Sequence, residues 1–100
     1  MRVISKKALK ECWKKHPETE QALKAWYREM CLGKWSNPNQ LKLDFPSASI
    51  LGERRVIFNI KGNDYRLILA IAYRLGVVYI KFVGTHKQYD VINASTIDMN

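Results

Sequence analysis

The stretch Thr85 to Asp90, THKQYD, gathers side chains able to move protons. Thr85 with Gln88 three residues on is a capping box, which predicts a short helix starting at His86. His86, Tyr89 and Asp90 then stand at i, i+3 and i+4, on one helix face. An imidazole titrates near neutrality and serves as a general acid or base. A tyrosine does so only with a perturbed pKa, and a carboxylate beside the imidazole can orient it. A helix N-terminus also attracts phosphate. The plainer alternative is a helix start carrying a surface histidine.

The elements that must hold this cluster lie just before it, in RRVIFNIKGNDYRLILAIAYRLGVVYIKFV. Apolar residues alternate over short runs, the mark of half-buried strands. Three consecutive antiparallel strands are predicted, at 55–61, 64–74 and 77–83. Gly62-Asn63 is expected to supply the two positive φ angles of a tight hairpin, and Leu75-Gly76 the next turn. Two-residue loops at both places pair Asn59 with Arg66, Phe58 with Leu67, Tyr73 with Val78 and Ala70 with Lys81.

Opposite residues share a face, so one face collects Val56, Phe58, Ile60, Tyr65, Leu67, Leu69, Ile71, Tyr73, Val78, Ile80 and Phe82. That is a core face. The other collects Ile57, Asn59, Lys61, Arg66, Ile68, Ala70, Ala72, Tyr79, Lys81 and Val83. Small alanines there stand beside three cations and an amide, which suits either a solvated outer face or a shallow basic groove for an anion.

The N-terminal half reads as helical. Arg2-Val3-Ile4 suits an edge strand, and Ser5 is placed to cap a helix over 6–15. Ala8, Leu9, Cys12 and Trp13 form its apolar face, and Lys6, Lys7, Lys10, Lys14 and Lys15 the opposite one. That basic face suits plain solvation or nucleic-acid contact. His16-Pro17 ends the helix and Pro17 opens a second, with Glu18 and Glu20 at its positive end. Its stripe is Ala22, Leu23, Trp26, Tyr27 and Met30, and Gly33 is the expected residue after its C-terminus. The pair makes an αα-hairpin over the core face. From Lys34 to Glu53 no clean period is visible, and Pro38 and Pro46 interrupt the stretch. Trp35, Leu41, Leu43 and Phe45 suggest that it packs.

One hundred residues suit a single domain spanning 1–100. Seventeen basic against nine acidic residues leave a net charge of +8, which favours nucleic acid, an acidic partner or an anionic surface. The sequence has no apolar run of about 18 residues, so no membrane span is expected. The N-terminal residues carry no apolar signal region, so the expected location is cytoplasmic. Two cysteines at apolar helix positions read as thiols packed as small hydrophobes. No His/Cys spacing suits a metal, and no phosphate-binding glycine loop, nucleophile elbow or repeat is present, so neither a metal nor a cofactor is expected.

LKLDFPSAS, VIFNIKGNDYRLI and VYIKFVGTHKQYD together resemble the HigB group of type II toxins, relatives of RelE. The resemblance covers nearly the whole chain. It implies an α+β fold of two helices packed on one face of a small twisted antiparallel sheet, with a short C-terminal helix. It implies an endoribonuclease that cuts messenger RNA on translating ribosomes. It also implies a HigA-type helix-turn-helix antitoxin, through which alone the pair meets operator DNA. Related toxins of the superfamily act on DNA gyrase instead.

The residues agree with the nuclease version. RNA is cut without metal when its own 2′-OH attacks the adjacent phosphate, given a base, an acid and cations around the developing charge. His86 is then the general base or acid, and Tyr89 its partner or a stacking platform. Arg66 and Lys61 stabilise the phosphate, Arg66 through its planar fork. Asn59 and Asn63 position the RNA and Asp90 orients His86. Lys81, Lys87 and the helix lysines Lys6, Lys7, Lys10 and Lys14 are backbone contacts. The rival functions are a non-catalytic toxin aimed at a protein such as gyrase, and a plain RNA-binding module.

Overall fold

Alternation in the C-terminal half becomes a sheet because every second side chain finds the same apolar layer. In a computed structural model, which describes residues 1–98, the elements run β1 Arg2–Ile4, α1 Lys6–Lys15, a 3-10 turn Pro17–Thr19, α2 Glu20–Leu32, α3 Pro38–Asp44, β2 Ser49–Leu51, β3 Arg55–Ile60, β4 Tyr65–Ala72, β5 Val77–Thr85 and α4 His86–Tyr89. The fold is α+β. The sheet has the order β1-β5-β4-β3-β2. It is mixed, not purely antiparallel, because β1 pairs parallel with β5. β2 adds a short antiparallel edge on β3.

The β3–β4 register is the expected one, with Asn59 opposite Arg66 and Phe58 opposite Leu67. The turn itself differs. Pairing stops at Ile60 and Tyr65, and the left-handed residues are Lys61 (φ 52°) and Gly62 (φ 65°), not Gly62-Asn63. The β4–β5 register departs further. Pairing ends at Ala72 and Val77, so the loop spans four residues, and Ala70 faces Tyr79 in place of Lys81. Leu69 pairs with Ile80 but Ile68 with Phe82, so Lys81 is the extra residue of a bulge. Beyond it the faces of β5 exchange. Phe82 moves to the outer face, and Val83, opposite Leu67, turns into the core at 9% exposure.

Leu9 and Cys12 of α1, and Leu23, Trp26 and Met30 of α2, join one core with the inner face of β3, β4 and β5. Leu9, Leu23, Met30, Val56, Leu67 and Leu69 are fully buried. Two expected helix ends have other causes. Ser5 makes no side-chain cap and takes a left-handed conformation (φ 78°), because the chain there turns sharply from β1 into α1. Gly33 is extended (φ −81°), and its missing Cβ makes room for the Trp35 ring.

The aperiodic stretch holds α3 and β2. Asn37 caps α3 by accepting from the Gln40 N–H at 3.0 Å, and Pro38 occupies its first turn, so that proline starts a helix instead of breaking one. Leu41 anchors α3 in the core, and Trp35 donates its indole N–H to Asp44 at 2.7 Å. The outer face of the sheet is partly roofed by the C-terminal segment. Arg55 donates to the Ala94 and Ile97 carbonyls at 3.0 and 2.8 Å, Lys81 reaches Asp98 at 3.2 Å, and Ile68 is fully buried. Among the described residues no helix is long and apolar enough to cross a membrane.

Candidate active site

Residues of three elements meet where β4 begins, β5 ends and α4 starts. Tyr65 pairs with Thr85 and Arg66 with Gly84. The His86 N–H donates to the Asp64 carbonyl at 2.9 Å, which ties α4 to the β3–β4 turn. The capping box is complete. Thr85 Oγ1 accepts from the Gln88 N–H at 3.1 Å, and Gln88 Oε1 accepts from the Thr85 N–H at 2.9 Å. Gly84 is needed beside it, because a Cβ there would lie 2.5 Å from Gln88 Oε1 and 2.9 Å from the Phe82 ring.

This scaffold holds a chain of four side chains. The Arg66 guanidinium sits over the Tyr89 ring, 5.5 Å from its centroid. The Tyr89 and His86 ring centroids are 6.5 Å apart. His86 Nδ1 lies 3.1 Å from Asp90 Oδ2. A proton on Nδ1 facing that carboxylate leaves Nε2 as the nitrogen for acid–base work. The guanidinium is also held from below. It donates to the Asn63 carbonyl at 2.9 Å and to the Tyr65 carbonyl at 3.3 Å, with Asn63 Oδ1 at 3.4 Å. Carbonyl oxygens cannot neutralise it, so its charge stays available to an anion. His86 and Asp90 are exposed, and Arg66 and Tyr89 half-buried.

Other expected site residues are dispersed. Asn59 is exposed opposite Arg66 on the outer face, and Lys61 and Asn63 are exposed in the turn. Lys87 is exposed on α4. Lys81 is half-buried, paired with Asp98 and 5.7 Å from the Tyr79 ring centroid. Lys6, Lys7, Lys10 and Lys14 belong to α1, whose C-terminal turn lines a small cavity with Gly84 and Gln88 through Glu11 and Lys15. Among the described residues no three His, Cys, Asp or Glu side chains come together as metal ligands.

A second polar cluster was not expected. The Tyr65 hydroxyl donates a short hydrogen bond to Glu18, and the His16 ring packs 5.3 Å from the Tyr65 ring. That bond holds the Glu18 carboxyl below its usual range and pushes the Tyr65 phenol up to about 12. The Lys61 ammonium also acts on Glu18. Nothing in the spacing of residues 16, 18 and 65 signals this contact, since only the packed helical elbow brings them together.

A family profile described as HigB_toxin, RelE-like toxic component of a toxin-antitoxin system, matches residues 19–92. The chain belongs to the HigB toxin family. The profile match spans Lys61, Arg66, His86, Tyr89 and Asp90 and leaves the α1 lysines outside it. The mRNA interferase toxin HigB of Escherichia coli (strain K12) is 32% identical over 96 residues, covering 94% of this chain and 92% of that relative. The mRNA interferase HigB of Shigella flexneri matches equally, at 32% over 96 residues. The mRNA interferase HigB of Escherichia coli O6:H1 is 28% identical over 92 residues, 90% of this chain and 89% of that relative. Membership in the HigB family makes this chain the toxic half of a pair and implies an antitoxin as its partner.

Proposed function

We propose that this toxin is a ribosome-dependent mRNA interferase, a single RelE-like domain with its helical hairpin on one sheet face. It cuts translated messenger RNA by attack of the substrate's own 2′-OH on the adjacent phosphate, and arrests growth by stopping translation. The observation carrying this reading is the contact between Arg66 and the Tyr89 ring, 5.5 Å from its centroid, beside the His86–Asp90 pair. The names of the relatives, mRNA interferases, support it from a second direction.

Arg66 neutralises the phosphorane charge through a fork that its backbone acceptors hold still. His86 moves a proton at Nε2, and Asp90 orients the ring through Nδ1. Tyr89 carries Arg66 on its face and supplies either the second proton-transfer group or a surface for a base. Lys61 adds a second cation at the phosphate, Asn59 and Asn63 position the RNA, and Lys87 contacts its backbone. No step of this sequence calls for a metal. The antitoxin is of the HigA helix-turn-helix type, and the pair meets operator DNA through it in the cytoplasm.

Single-turnover cleavage on programmed ribosomes tests the reading. The upstream product is expected to end in a 2′,3′-cyclic phosphate or the 3′-phosphate derived from it. A 3′-hydroxyl at the cut would exclude 2′-OH attack and these roles with it.

A further inference from the structure

β1 pairs with β5 only at Val77, Val78 and Tyr79, so among the described residues the last part of β5 has no strand on that edge. The C-terminal half of α1 stands there instead, and a cavity of about 110 Å³ remains between them. Buried Cys12 and Val83, with Ala8, line its apolar side, and Glu11, Lys15, His16 and Gln88 its polar side. Gly84 completes the lining, and Gly84 is the residue paired with Arg66. Gln88 belongs to the single-turn helix that carries His86 and Tyr89. Both β5 and α4 therefore join this cavity to the cluster of Arg66, His86 and Tyr89, and the cleavage chemistry does not use it.

Glu11 and Lys15 stand at i and i+4, neighbours on one face of α1. Both are exposed. Lys15 makes no ion pair among the described residues, and Glu11 has only Lys7 Nζ at 3.9 Å. The half-buried His16 ring is backed by the Tyr65 ring, 5.3 Å away.

We propose that this cavity is a guanine subsite for the messenger RNA, holding the base of a nucleotide near the scissile phosphate. The proposal rests on the mRNA interferase reading. The cavity has room for one planar base, whereas drug-sized ligands take about 300–1,000 Å³. Single-stranded RNA is read in this way, with bases splayed out, stacked on aromatic rings that include histidine, and hydrogen-bonded along their edges. The carboxylate decides what enters. Glu11 repels a phosphate, so it does not suit the RNA backbone. Beside a base it accepts two parallel hydrogen bonds. Among the four bases only guanine offers two neighbouring donors, N1–H and N2–H, with the O6 and N7 acceptors alongside. Glu11 takes the two donors, Lys15 donates to O6 or N7, and His16 is the stacking wall.

The test is single-turnover cleavage by the toxin, made by cell-free synthesis, on ribosomes programmed with each of the four bases at every position of the cut codon. The parent is expected to cut at least tenfold faster when guanine stands at one particular position. Glu11→Gln is expected to shift the preference at that position from guanine to adenine, because a side-chain amide pairs bidentately with adenine. Lys15→Met is expected to reduce the guanine preference at least fivefold. Both positions are exposed, so thermal melts should match the parent. A parent that cuts all bases within twofold of each other, or variants that keep its preference within twofold, would overturn the subsite. Equal losses on every base would make Glu11 and Lys15 structural groups and overturn it as well. The preference is a ratio between bases, so it is read independently of how the bond breaks. A 3′-hydroxyl product would remove the 2′-OH mechanism and leave this test standing, whereas no cleavage by the parent would remove the nuclease reading and the subsite with it.

Discussion

The Arg66 guanidinium lies over the Tyr89 ring, 5.5 Å from its centroid, although the two residues sit on different elements. One stands on β4, the other on the last position of α4. The contact fixes the cation relative to the proton-transfer group, because His86 and Tyr89 share a helix of a single turn.

Arg66→Ala is expected to lower single-turnover cleavage by about 10²–10³, the loss typical of removing one donor to a developing charge. The fold should survive, since Arg66 lies on the outer face and its truncation opens no core cavity. Arg66→Lys should recover only part of the rate, because an ammonium keeps the charge without the fork. Circular dichroism beside the kinetics checks both. A folded, fully active Arg66→Ala protein would remove the phosphate role.

His86→Ala and Tyr89→Phe should each cost about 10²–10⁴ in rate, the range for losing a general acid or base. The double variant should lose less than the product of the two, because groups working as a unit are non-additive. Binding to RNA–ribosome complexes, measured by filtration, should change little. Fully multiplicative losses would mean that the two rings act independently.

Gly84→Ala is expected to reduce cleavage without unfolding the protein. Its Cβ would meet Gln88 Oε1 at 2.5 Å, and the flexible Gln88 end would move away and give up the Thr85 N–H. Losing half of a capping box costs about 0.5–2 kcal/mol of helix stability. Gln88→Ala should produce a similar loss by the same route. Backbone amide shifts of residues 85–90 are the measurement, and shifts like those of the parent would refute the coupling.

The Tyr65–Glu18 bond predicts a pH dependence of stability with two edges. Glu18 has a depressed folded-state pKa, so its contribution is present above the ordinary value of 4.5 and is lost as pH falls through the lowered one. Tyr65 is raised from 10 to about 12, so its contribution is full below pH 10 and is lost as pH rises toward 12. Tyr65→Phe should therefore melt lower than the parent between these limits, with the gap closing at both extremes. Thermal melts across pH decide it. A gap independent of pH would mean that the phenylalanine acts through packing alone.

Local pattern determined much of this protein. Period-two alternation identified β3, β4 and β5, and the pairing of Asn59 with Arg66 followed from a hairpin whose ends are close in sequence. The capping box identified the start of α4, because Thr85 and Gln88 satisfy each other within one turn. Tertiary structure decided the rest. The bulge at Lys81 is invisible to alternation, since Phe82 and Val83 are both apolar and either suits the core. What chooses between them is the pairing of Val83 with Leu67, a contact across strands. The parallel β1, the roofing segment at 93–98 and the Tyr65–Glu18 bond likewise join residues far apart in the chain. The contact between Arg66 and Tyr89 belongs with them. Sequence spacing grouped His86, Tyr89 and Asp90 and put Arg66 on the outer face, but only the packed end of β5 brings that cation onto the tyrosine.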